Sequence, residues 1–90
     1  QQPAPDRQAR REEVASLRAA TKELAAVDRK LARLPDEIAE VNRHLAGHDQ
    51  SDYAGLLPLL ESLRALNAQQ SELETRWLEL TDLLESFVRP

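Results

Sequence analysis

Two long series of apolar residues, spaced alternately by three and four, constrain the fold of this chain most strongly. Such spacing puts side chains on one side of an α-helix and is typical of coiled coils, whose heptad positions a and d face the partner helix. With Leu17 at position a, the first seam is Leu17, Ala20, Leu24, Val27, Leu31, Leu34, Ile38, Val41 and Leu45. The second seam is Leu56, Leu59, Leu63, Leu66, Gln70, Leu73, Trp77, Leu80, Leu84 and Phe87.

Composition favours helices throughout. Ala, Glu, Lys, Leu and Arg make up 51 of the 90 residues, a share typical of long helices and coiled coils. Only eight residues are Val, Ile or Thr, which disfavours a sheet. Because the two seams match in length and only a short polar stretch separates them, we predict an all-α fold, an antiparallel two-helix coiled-coil hairpin.

The predicted boundaries follow from capping residues and prolines. Asp6 is a plausible N-cap of the first helix, Gly47 can end that helix with a positive φ, and Ser51 or Asp52 can cap the second. The chain contains no Met and opens with two prolines in five residues, so we expect a piece of a longer protein that starts in a linker. The predicted parts are a linker remnant at 1–5, helix 1 at about 6–46, a turn at 47–52 and helix 2 at about 53–88.

Two internal prolines leave alternatives open for the course of the helices. Pro35 lies inside the first seam, where a proline removes a helical hydrogen bond, so we predict that helix 1 is kinked or broken near it. Pro58 similarly allows residues 53–57 to form a separate turn.

The register between the helices has two solutions. Either Val27 lies opposite Trp77 and Leu45 opposite Leu59, or a slip of one heptad places Ala20 opposite Trp77. Gln70 is the one polar residue of the two seams. Either its amide is buried and fixes the register between the helices, or the amide extends to solvent.

Charge is unevenly distributed in a chain whose net charge is −4. Residues 7–33 carry eight Arg or Lys against four acids, whereas residues 46–90 carry three against eight. Six of the cations share one outward face of helix 1, and such a basic stripe is the expected footprint of phosphate contacts. The alternative is a solvated face that forms salt bridges with its own acids. The basic stripe comprises Arg7, Arg11, Arg18, Lys22, Arg29 and Arg33.

Other site chemistry finds little support. There is no cysteine for a disulfide, a thiolate or zinc ligation, and no apolar run long enough to span a membrane. His44 and His48 have a spacing that could hold a metal, but solvent-exposed or capping histidines explain them better. We expect Trp77 to be a core residue rather than a stacking platform. We therefore predict no catalytic residue, no metal site and no cofactor site within these 90 residues.

Several segments resemble one known family over roughly residues 18–85. The sequence is similar to the C-terminal domain of ABC-F ATPases of the Uup type, and its most specific part is the Leu-Glu-x-x-Trp-x-x-Leu pattern that starts at Leu73. The matching segments are Lys22-Glu23-Leu24, Arg29-Lys30-Leu31-Ala32-Arg33-Leu34, Asp52-Tyr53-Ala54, Leu63-Arg64-Ala65-Leu66 and Glu72-Leu73-Glu74-Thr75-Arg76-Trp77-Leu78-Glu79-Leu80.

The resemblance implies a coiled-coil hairpin that follows two ATP-binding cassettes in a cytoplasmic protein. It implies that ATP and Mg bind to those cassettes, so that this domain is not itself an enzyme. It also implies nucleic acid, either DNA or ribosomal RNA, as a partner. This chain departs from the usual basic tail of the family in its net negative charge.

Two functions remain as hypotheses. The first is an accessory nucleic-acid-binding domain that uses the basic stripe for backbone contacts. The alternative is a structural or protein-interaction coiled coil that forms a homodimer or docks a partner protein. It rests on apolar residues of helix 2 that lie outside the seam, namely Leu57, Leu60, Leu78, Leu83 and Val88.

Overall fold

Two long helices packed side by side form the whole of the described structure. The computed structural model describes residues 5–88. Helix α1 spans Pro5–Gly47, helix α2 spans Tyr53–Val88, and residues 48–52 connect them. The molecule is elongated, with extents of 78 × 19 × 15 Å. The prediction of an all-α helical hairpin is confirmed.

The N-terminus of α1 differs by one residue from the prediction. The helix begins at Pro5, so Asp6 lies in its first turn and the prediction of Asp6 as N-cap is wrong. Proline is favoured at the start of a helix because the N–H that it lacks has no helical acceptor there. An acid in the first turn, as Asp6 is, interacts favourably with the positive end of the helix dipole. Of the predicted linker, residues 1–4 lie outside the described residues.

Neither internal proline interrupts its helix. Helix α1 continues through Pro35 and α2 continues through Pro58, so a break at Pro35 and a separate turn at 53–57 are both wrong. Both prolines are exposed, while Leu34 beside Pro35 is buried and Ile38 is half-buried against α2. Seam packing on either side of Pro35 thus stabilises helical backbone that the proline alone disfavours. A kink at Pro35 stays a prediction.

The hydrophobic core is a single line along which the two seams meet. Leu17 and Trp77 remain 37% and 38% exposed, and every other seam residue is buried or half-buried. This partial exposure is expected because a two-helix hairpin covers each seam from one side only. The buried residues are Ala20, Val27, Leu34, Leu56 and Leu80.

Contacts between the helices decide the register. The indole N–H of Trp77 donates a hydrogen bond to Asp28 Oδ1 at 2.8 Å, and Leu80 shares one buried cluster with Ala20 and Val27. Both contacts require Val27 to lie level with Trp77 and exclude the slipped alternative. Trp77 is therefore not the core residue that the sequence predicts. Its ring lies at the edge of the seam, where the polar N–H reaches a carboxylate.

Gln70 offers no support for a register pin. Its side chain is half-buried and makes no hydrogen bond to any other described residue. The register is therefore fixed by the hydrogen bond between Trp77 and Asp28 and by apolar packing, rather than by a buried amide.

The start of α2 has a well-formed N-cap. The Oδ1 atom of Asp52 accepts a hydrogen bond from the Gly55 N–H at 3.1 Å, and the Asp52 carbonyl accepts one from the Leu56 N–H at 3.0 Å. These bonds satisfy N–H groups that the first turn of a helix leaves without partners. Of the two predicted caps, Ser51 and Asp52, the structure uses Asp52.

The end of α1 is closed by a side chain rather than by a left-handed glycine. Gly47 is the last residue of α1 and its φ is not positive, so its predicted conformation is wrong. Instead, the Gln50 side-chain amide donates hydrogen bonds to the carbonyls of Leu45 at 3.0 Å and His48 at 2.9 Å. These bonds satisfy carbonyl groups near the C-terminus of the helix.

Candidate nucleic-acid interface

The basic stripe runs along the outer surface of α1, and all six of its side chains are exposed. Its members form three pairs with an internal spacing of four residues, and the pairs repeat every eleven residues. Eleven residues make about three helical turns, so each pair returns to nearly the same side of the helix about 16.5 Å further along. The pairs are Arg7 with Arg11, Arg18 with Lys22, and Arg29 with Arg33.

No member of the basic stripe forms an ion pair with a residue of the described range 5–88. Two of the four acids in the same stretch are engaged by α2 instead. Glu23 binds Arg76, and Asp28 accepts the hydrogen bond from Trp77. The stripe is therefore not the self-neutralised face that the sequence allows as an alternative.

The Glu23–Arg76 pair joins the helices through two parallel hydrogen bonds. Arg76 Nε lies 2.6 Å from Glu23 Oε2, and Arg76 Nη2 lies 2.7 Å from Glu23 Oε1. The hydrogen bond from Arg76 lowers the pKa of Glu23, and the bonds to Glu23 and Glu79 raise the pKa of Arg76. Arg76 is thus committed to carboxylates within the chain, whereas the cations of the basic stripe remain available to an anionic partner.

Pairs of like charge at a spacing of four residues repel each other across one helical turn. The basic stripe contains three such pairs, and no acid of residues 5–88 lies within ion-pair distance of any of their six cations. The arrangement therefore opposes helix stability and favours binding of a linear array of anions, which would remove the repulsion.

Sequence reasoning missed Arg10, which sits at a seam position. In the observed register the end of α2 at Val88 lies level with about residue 16 of α1, so residues 5–15 have no helix opposite them. Arg10 is consequently exposed, and it lines an open groove of about 310 Å³ together with Arg11, Arg18 and the apolar Val14. Only the register, which the sequence leaves open, could have identified this residue.

The histidines near the turn are engaged by single carboxylates. His48 Nε2 lies 2.9 Å from Asp52 Oδ2, and His44 Nε2 lies 3.3 Å from Glu40 Oε1. The hydrogen bond from His48 lowers the pKa of Asp52. No group of three or more potential metal ligands occurs among residues 5–88. The arrangement thus fits a capping role, in which His48 orients the Asp52 carboxylate.

The described helices leave their polar and charged side chains in or near solvent. None of their polar or charged side chains is buried, so no group is desolvated in the way that tunes catalytic acids and bases. Neither helix is long and apolar enough to cross a membrane.

Comparison with protein-family models gives a match over most of the hairpin. The model of the ABC transporter C-terminal domain matches residues 16–82, a range that includes the turn and most of both helices. No curated protein and no solved structure matched the chain. The matched range agrees with the segments that resemble ABC-F ATPases and covers well over half of the sequence. The chain therefore belongs to the ABC transporter C-terminal domain family and is an accessory domain of an ABC protein of the ABC-F type.

Proposed function

We propose that this domain binds nucleic acid through phosphate contacts made by the basic stripe. The observation that carries the proposal is that all six cations are exposed on one face and lack an acidic partner in the described chain. Lys and Arg side chains that neutralise phosphates release condensed counterions, which favours binding even to a domain of net negative charge. The acidic side chains of α2 restrict this contact to the outer face of α1.

The spacing of the pairs supports a double-stranded partner. The first and third pairs are about 33 Å apart along α1, and one turn of B-form DNA measures about 34–36 Å. A helix lying along the duplex would meet one strand at both outer pairs, with the second strand crossing between them near the middle pair. Because no aromatic residue interleaves with the stripe, base stacking is not part of the proposal and sequence preference is expected to be weak.

The parent protein is proposed to be a cytoplasmic ABC-F ATPase of the Uup type. Its cassettes, which lie outside these 90 residues, would bind ATP and Mg and perform the hydrolysis. The domain described here would supply a nucleic-acid contact, with DNA and ribosomal RNA as the two candidate partners.

A titration with labelled nucleic acids tests the proposal directly. The domain is titrated at low salt into a DNA duplex, a DNA junction and a structured RNA, and binding is followed by fluorescence anisotropy. We expect Arg29→Gln with Arg33→Gln to weaken binding strongly. The matched control is Lys30→Gln, which removes an exposed, unpaired cation of α1 that lies off the stripe. No binding at high micromolar concentration, or equal effects of the pair and the control, would contradict the proposal.

Self-association is the second candidate function. It is favoured by apolar side chains on the surface of α2, where Leu57 and Leu78 are each 58% exposed and Leu60 is 47% exposed. Large apolar groups left in solvent beside a single seam gain stability when a further helix covers them.

A further inference from the structure

One flank of the hairpin combines small side chains on α1 with large ones on α2. Heptad position b of α1 holds alanine four times in succession, and position b of α2 holds Leu57 and Leu78. We call this surface the alanine flank. Its small residues, spaced by seven and exposed or half-buried, are Ala25, Ala32, Ala39 and Ala46.

Contacts on the other side of the hairpin show which residues of the two helices lie together on the alanine flank. In an antiparallel pair of helices, positions g of both helices lie on one side of the seam and positions e and b of both lie on the other. Glu23 and Arg76, both at position g, form the interhelical ion pair. An open groove of about 740 Å³ is lined by further g residues of both helices, including Lys30, Glu37, Ser62 and Gln69. The four alanines and the two leucines therefore lie together on the other side.

Large and small residues on the alanine flank are matched in level. In the observed register, Ala25 lies within about one residue of the level of Leu78, and Ala46 lies within about one residue of the level of Leu57. Both pairs are separated by the same 21 residues along their helices. A second hairpin placed face to face can thus insert a leucine of α2 over an alanine of α1 at two levels at once.

The charges on the two helices favour one of the two ways in which two hairpins can pack face to face. The N-terminal half of α1 is rich in cations and α2 is rich in acids. A two-fold axis parallel to the hairpin sets α1 of each copy over α2 of the other, so that opposite charges meet and leucine meets alanine. A two-fold axis across the hairpin would instead set α2 on α2, with leucine against leucine and acid against acid.

We propose that the alanine flank is the interface with a second copy of this chain, giving a four-helix bundle. Leu78 packs over the partner's Ala25, and Leu57 packs over the partner's Ala46. The interface is isologous, so each contact occurs twice. This inference rests on self-association as the second candidate function and adds which faces meet and in which orientation.

Sedimentation equilibrium of the 10.2 kDa chain tests the dimer. We expect a mass of twice that value at hundreds of micromolar. Leu78→Ser should raise the dissociation constant about a hundredfold, since each of the two symmetric contacts contributes about tenfold. The matched control is Leu83→Ser, which removes a leucine that is 43% exposed on the opposite flank and should leave the constant unchanged. Far-UV circular dichroism confirms that both variants keep their helices.

A pair of substitutions that exchanges the large and the small residue of one contact tests that contact specifically. Ala25→Leu alone places leucine against leucine and should weaken the dimer, whereas Ala25→Leu combined with Leu78→Ala should restore it. A wild-type chain that stays monomeric at hundreds of micromolar overturns both self-association and the interface. A dimer that survives Leu78→Ser, or that the exchange does not restore, overturns the interface alone.

Discussion

The salt dependence of nucleic-acid binding follows quantitatively from the basic stripe. Each neutralised phosphate of a DNA duplex contributes about −0.9 to the slope of log affinity against log salt, so six contacts give about −5.4. Between 50 and 200 mM salt, such a slope lowers the affinity by about 10³-fold. Replacing the middle pair, Arg18→Gln with Lys22→Gln, leaves four contacts, a slope of about −3.6 and a loss of about 150-fold over the same range.

Anisotropy titrations of a 20-base-pair duplex at four salt concentrations measure both slopes. Lys30→Gln is the control, because it changes net charge by one unit while lying off the stripe. We expect it to keep the wild-type slope. A wild-type slope near zero would show that phosphates are not the target. If Lys30→Gln reduces the slope as much per charge as the middle pair does, then net charge rather than the stripe governs binding, and the reasoning fails.

Three further predictions concern stability. Leu80→Ala, at a residue only 1% exposed, should lower the free energy of unfolding in urea by about 2–5 kcal/mol. Arg76 lowers the pKa of Glu23, so this pair stabilises the fold above the usual glutamate pKa of 4.5. The melting temperature should therefore fall as pH drops through the lowered pKa of Glu23 in the folded state. The fall should be smaller for Glu23→Gln. Gly55→Ala places a methyl group against the His48 ring and the Asp52 carboxylate that caps α2, so the free energy of unfolding in urea should fall by about 1 kcal/mol.

The helices and the seams were predictable because burial follows from periodicity alone. The register was not, since both candidate registers layer a positions against d positions and differ only in contacts at the edge of the seam. Asp28 and Trp77 make that contact, and helical periodicity does not indicate that these two residues pair. A break at Pro35 was predicted from local backbone chemistry, which the packing of Leu34 overrides.

The candidate interface was likewise predictable from the sequence only in part. Helical geometry fixes which side chains share a face, so spacing alone places the basic stripe on one side of α1. Ion pairing depends on what lies across the seam. Glu23 and Asp28 turn away from the stripe because Arg76 and Trp77 lie opposite them in this register. The sequence could therefore predict where the cations lie but not that they would be left without partners.

The alanine flank and the basic stripe occupy different sides of α1 because their sequence repeats differ in length. The alanine flank repeats every seven residues and stays at heptad position b, whereas the basic stripe repeats every eleven and moves around α1, from position b at Arg18 to position c at Arg33. A dimer through the alanine flank thus covers the edge of the stripe at Arg18 and leaves Lys22, Arg29 and Arg33 accessible.

Two stripes would then lie on opposite outer sides of the bundle and could each engage a separate duplex. Breaking the dimer with Leu78→Ser should therefore weaken binding to two duplexes that are joined by a long flexible single strand, through lost avidity. Binding to one short duplex should not weaken, because separating the two copies also uncovers Arg18. Anisotropy with one 15-base-pair duplex, and with two such duplexes joined by a flexible single strand, compares the two cases, and an equal loss on both would mean that Leu78 acts on the stripe itself rather than through the dimer.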